Sequence, residues 1–202
     1  MRGGAAAEPD VAGSFTDAVS HDDGAVESYE LIAVAARGFR PPRFLQAVHV
    51  AADEEADRPI APEHERFRLT WSLLYRPVAE TGPRTVAPYG IFLLGVNPPA
   101  GTNDDGLRVF NDFYTNVHMP EVVERRNALR AVRYELFRTL KSPMRGAPQF
   151  LAAYEVDEAG ASNRRHTGPP YSSGPEVWQG HVTPWRLWYR RLASGKGVTT
   201  TA

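Results

Sequence analysis

The chain has 202 residues, 42% of them hydrophobic, and 23 Lys and Arg against 24 Asp and Glu leave a formal net charge of −1. That balance excludes the broad basic footprint of a nucleic-acid or anionic-membrane binder, and the lack of cysteine removes disulfides, thiolate metal sites and cysteine nucleophiles together. The longest apolar run, within Tyr89 to Gly95, falls far short of the roughly 20 residues that span a bilayer, and the N-terminus shows no apolar signal core, so the expectation is a cytoplasmic protein with neither membrane nor nucleic acid as partner.

Residues 1–27 are rich in Gly, Ala, Asp and Ser, and 194–202 are similarly polar, so both ends are expected to be disordered, with too little apolar area to offset the entropy of ordering. Residues 28–80 read as a β-rich N-terminal extension. Leu31 to Ala36 is a strand, Phe44 to Val50 a strand or short helix, and Asp53 to Glu65, acidic and holding Pro59 and Pro62, a surface loop. From Phe67 to Tyr75 the residues alternate, placing Phe67, Leu69, Trp71 and Leu73 on one face.

Residues 88–193 read as a second unit. Tyr89 to Val96 is a buried strand, Asn97 to Gly106 a loop ending in capping residues, and Leu107 to about Arg126 a helix. Leu129 to Phe137 is a strand with Val132, Tyr134 and Leu136 on one face and Ala131, Arg133 and Glu135 on the other. Gln149 to Val156 repeats the pattern with Phe150, Ala152, Tyr154 and Val156. Glu158 to Pro175 is irregular, Glu176 to Val182 a short helix and Trp185 to Leu192 a last strand. The order β-α-β-β-(short α)-β is the ferredoxin-like arrangement, an α+β fold. Its uncovered sheet face implies a partner subunit.

On a helix advancing about 100° per residue, Phe110, Phe113, Tyr114 and Val117 form the buried stripe, with Asn111 and His118 at its border. A histidine there is shielded from bulk water and titrates near neutrality, which suits proton transfer in either direction. Tyr114 lies one turn earlier, within reach. The plainer role for His118 is a hydrogen bond to a backbone carbonyl at a kink made by Pro120. Trp178, His181, Trp185 and Trp188 form a C-terminal aromatic cluster, suited to packing on the sheet and bringing His181 forward as a second proton-transfer group. Arg164-Arg165-His166 sits in a loop and bears on an acyl carrier protein only as an unsupported option. His49 and His64 are too isolated for a metal site, and no nucleotide-binding or serine-hydrolase motif occurs.

The run Phe113-Tyr-Thr-Asn-Val-His-Met-Pro-Glu-Val122, followed by Arg133-Tyr-Glu-Leu136 and Phe150-Leu-Ala-Ala-Tyr-Glu-Val156, resembles the EthD-like branch of the dimeric α+β barrel superfamily in order and spacing. The resemblance covers about Tyr89 to Val156. It implies two sheets closing into a barrel across a homodimer, with a pocket between each sheet and its helices, and it carries His118 over as the working residue and Tyr114 as a weaker neighbour. Relatives range over cyclases, isomerases, dehydratases, oxygenases and haem enzymes, so fold does not settle function.

The expectation is therefore a ferredoxin-like dimeric α+β barrel with an N-terminal extension. Its expected function is that of a cofactor-independent enzyme that cyclises, dehydrates or isomerises a polyketide-like or aromatic intermediate in a hydrophobic pocket. His118 and Tyr114 would be catalytic, and Phe110, Asn111, Phe113, Arg133, Tyr134, Trp178, His181 and Trp185 would contact substrate, with no metal and no cofactor. Cofactor-free oxygenation of a phenol or anthrone, and non-catalytic binding of a small molecule by a dimer, are the alternatives.

Overall fold

A computed structural model describes residues 26–34, 41–48, 67–142, 147–162 and 169–192. The expectations for His49, His64, Arg164-Arg165-His166, the Asp53 to Glu65 loop and the two chain ends fall wholly or almost wholly outside these residues.

Among the described residues seven strands, all paired antiparallel, make one sheet. They are β1 (Val26–Val34), β2 (Phe44–Val48), β3 (Ser72–Glu80), β4 (Gly90–Asn97), β5 (Arg130–Lys141), β6 (Phe150–Val156) and β7 (Val182–Arg191), in the spatial order β2-β1-β7-β4-β6-β5-β3. The sheet curls into a half-barrel, and strand far outweighs helix. The helices are α1 (Asp104–Phe113), a π-helical turn (Tyr114–His118), α2 (Met119–Arg126) and two single turns, α3 (Glu158–Ser162) and α4 (Glu176–Gln179).

This architecture corrects the expected ferredoxin-like dimeric α+β barrel. Strands β1, β2 and β3, from the segment read as an extension, belong to the same sheet and occupy both of its edges. Between β6 and β7, where that fold needs a second full helix, the described residues make only the single turns α3 and α4, in a stretch whose Gly, Pro and Ser residues are poor helix formers.

Alternation sorts the side chains onto two faces. Phe92, Leu94 and Val96 of β4, Ala131 of β5, Phe150, Ala152 and Tyr154 of β6 and Trp188 of β7 pack under the helices with Phe110, Tyr114, Met119, Val122 and Trp178. The opposite face gathers Tyr29, Ile91, Leu93, Trp185, Leu187 and Tyr189, with Leu31, Leu45, Trp71 and Leu73 packed against them. Trp71 stacks on Trp185 with ring centroids 4.5 Å apart, and Phe67 meets Phe44 edge-on at 6.0 Å. The residues just before β3 thus reach across the curl to β7 and β2. The face expected to need a partner subunit is filled from within the chain, so the open-face argument for a dimer falls.

The strand read over Phe67 to Tyr75 forms later, at Ser72–Glu80. Its Pro77 lacks an amide donor and is tolerated because β3 is an edge strand. One end of the curl is closed by ions. Arg84, in the β3–β4 connection, pairs with Glu155 and, at 2.9 Å, with Glu27; Arg130 and Arg191 reach the same two carboxylates at 3.2 and 3.4 Å. No helix among the described residues is long and apolar enough to cross a membrane.

Candidate functional site

The centre of the helix layer is a local fault in the helix. Asn103 caps α1, its side chain accepting the Gly106 amide at 2.8 Å. Past Phe113 the hydrogen bonding widens, and the Met119 amide donates back five residues to the Tyr114 carbonyl. Pro120 explains the position, since a proline has no amide to donate and its ring crowds the preceding turn. A π-turn inserts one residue, advancing everything downstream by about 100°. Val117, placed in the buried stripe by a regular wheel, is therefore 38% exposed, whereas His118 is 8% exposed and Tyr114 and Met119 are enclosed.

His118 lies in an aromatic box. Trp178 is 4.6 Å away between ring centroids, Tyr171 5.2 Å and Tyr114 5.6 Å. Its Nδ1 is enclosed and has no hydrogen-bond partner among the described residues, so the carbonyl-bonding role at the Pro120 kink is not what the Nδ1 atom does. Burial lowers the imidazole pKa to about 4; His181, Arg125 and Arg186 push it the same way, and Glu121 opposes them. At neutral pH the ring is uncharged.

A strap holds the box shut. Arg125 donates to the Pro169 and Pro170 carbonyls at 2.7 and 2.9 Å, and Glu121 accepts from the Ser172 hydroxyl and, at 3.1 Å, from its amide. Those bonds, with Arg125 beside it, hold the Glu121 carboxyl below its usual pKa. Gly174 has φ 67°, and a Cβ there would lie 2.6 Å from Phe113 and 2.7 Å from Trp178. Only glycine allows the strap to lie this close.

On the sheet side stands Arg133, 2% exposed. Its guanidinium donates to Thr115 Oγ1 at 3.1 Å and to Asn111 Oδ1, which lie at the start of the π-turn and one turn before it. It sits 4.6 Å over the Tyr114 ring and 4.3 Å over Phe150. No carboxylate pairs with it among the described residues, and burial lowers its pKa. The Tyr114 and Tyr154 hydroxyls interact with each other, yet neither makes a well-directed hydrogen bond, and Arg133 Nε is likewise unpartnered. Burial raises both phenol pKa values, so both hydroxyls carry their protons.

Of the residues read from the sequence, Phe110, Asn111, Phe113, Tyr114, His118, Arg133 and Trp178 come together here. His181 adjoins the group through Trp178, on which it stacks at 4.2 Å; a carbonyl only accepts, so its Nδ1 donates to the Trp178 backbone. Trp185 and Tyr134 do not join it. Trp185 belongs to the opposite core, and Tyr134 lies among the Arg130, Glu155, Arg84 and Glu27 charges. The alternation along β5 and β7 puts both on the far face. Thr115, Glu121, Tyr154, Tyr171 and Ser172 also belong to the site; the first three lie within the runs that carry the resemblance, whereas Tyr171 and Ser172 fall in the irregular Glu158 to Pro175 segment, where no local signal marks them. Among the described residues no cluster of His, Asp and Glu is arranged to hold a metal ion.

Compared with protein-family models, with curated proteins and with solved structures, the chain matches none. The resemblance to the EthD-like branch therefore rests on its helix and two strands alone.

Proposed function

We propose that the layer between the helices and the sheet binds a small aromatic or polyketide-like molecule and moves a proton on it without a cofactor, in a cyclisation, dehydration or isomerisation. The observation that carries this reading is an aromatic interior that holds His118 Nδ1 and Arg133 Nε without a hydrogen-bond partner among the described residues, and the Tyr114 and Tyr154 hydroxyls with only each other. Buried donors and acceptors are nearly always paired, and a group of orphans is costly unless a ligand completes them. A neutral imidazole accepts a proton. Two protonated phenols donate hydrogen bonds to the oxygen on which charge then develops. His118 serves as the base, Tyr114 with Tyr154 as the oxyanion donors, and Arg133 with Asn111 fixes the turn that presents them. The EthD-like resemblance supports the choice of His118.

A second reading, binding without catalysis, is favoured by the imidazole pKa of about 4, which makes His118 a weak base until a developing negative charge beside it raises that value. One experiment separates the two. Benzoylacetone, an aryl diketone with an acidic C–H, is incubated with the protein in deuterated buffer, and label uptake is followed by NMR. Proton transfer by His118 predicts enzyme-dependent uptake that His118→Ala slows about a hundredfold. Binding alone predicts uptake at the buffer rate in both proteins.

A further inference from the structure

We infer that the ligand of this layer carries a negative charge, a carboxylate or phenolate oxygen on an aromatic ring, and that Arg133 is the residue that holds it. The inference rests on the reading that the layer binds a small aromatic molecule and adds the charge that molecule must bear.

Buried charges are ordinarily paired, because stripping water from an unpaired ion costs several kcal/mol. Arg133 breaks that rule. Its hydrogen bonds go to a neutral hydroxyl and a neutral amide, its faces meet aromatic rings, and Nε points at no acceptor. Glu135, two residues along the same strand face, bears on it electrostatically from an exposed position but makes no hydrogen bond to it among the described residues. A second guanidinium, that of Arg126, bears electrostatically on Tyr154. It lies 4.8 Å over Phe92 and 5.4 Å over Trp188, with Nη1 enclosed and unpartnered. Glu121 of α2 is occupied by Ser172 of the strap and by Arg125. The layer thus holds one buried cation, a half-buried second one and a pair of phenols, and no buried carboxylate pairs with Arg133 among the described residues. One anionic oxygen would satisfy Arg133 Nε beside the Tyr114 and Tyr154 phenols.

Calorimetric titration with salicylate and with salicylamide, close in shape but differing in charge, tests this. The wild-type protein is expected to bind salicylate about tenfold or more tightly than salicylamide, and Arg133→Met to bind the two equally. The His118→Ala protein keeps the preference, since charge selection is independent of the proton acceptor. Should Arg133→Met fail to fold, Arg133→Lys carries the test, its preference falling about threefold because a point charge lacks the fork that grips an oxygen pair. Phenol itself, titrated across its ionisation, separates a carboxylate site from a phenolate site. Equal affinity for the two amide and acid probes, binding of neither, or a preference that survives Arg133→Met overturns the inference. Loss of label uptake on benzoylacetone with the salicylate preference intact would overturn proton transfer and leave the anion site standing.

Discussion

His118 is buried as a neutral ring, so protonating it works against the fold. Its pKa falls from an ordinary value near 6.5 to about 4 in the native state, so the unfolded chain binds the proton more readily. Stability from this group is complete above about pH 6.5 and declines as pH falls toward 4. The full difference amounts to about 3 kcal/mol. Urea unfolding of wild type and His118→Gln at a series of pH values should show the wild-type curve falling more steeply in that window, the two becoming parallel below it. Parallel curves throughout would mean that the imidazole is solvated. Sequence reasoning reached His118 and Tyr114 through the helix wheel and the resemblance. It did not single out Tyr154 or Tyr171, because which phenols gather around His118 and Arg133 is decided by packing between distant segments.

At the scale of elements, the π-turn and the strap depend on each other. The inserted residue turns His118 inward, and the strap lays Tyr171 over it. Gly174→Ala should lower stability by roughly 1 to 3 kcal/mol, through both the positive φ and the collision with Phe113 and Trp178. A red shift of tryptophan emission should accompany it as Trp178 gains water. A change in midpoint with unaltered emission would show that the strap does not cover the box. The helix itself was legible from Leu107 onward, but its phase was not. A wheel assumes one period, and the switch at Tyr114 follows from Pro120 and from what Arg133 grips across the layer, Asn111 and Thr115.

At the scale of the molecule, the half-barrel is held by contacts between segments far apart in sequence. That is why alternation located most of the strands but not their assembly. The order β-α-β-β-(short α)-β suggests one familiar fold, whereas pairing of β1 with β7 and of β3 with β5 builds a wider sheet. Two substitutions probe the closure. Trp71→Ala removes the stack on Trp185 and should cost about 3 kcal/mol. Arg84→Met should cost about 2 kcal/mol, less than stripping a buried pair outright, because Arg130 and Arg191 still reach Glu155 and Glu27. Denaturant midpoints at fixed pH check both, and wild-type stability in either would show that the curl closes by other means.

The central claim is that the base is the buried, neutral His118, and the pH dependence of label uptake by benzoylacetone tests it most directly. Between about pH 3 and 8 the rate constant at low substrate should be level across neutrality and fall on an acid limb near pH 4, the His118 value. An acid limb near 6.5, or a profile unchanged in His118→Ala, would contradict the account and place the proton acceptor on another group.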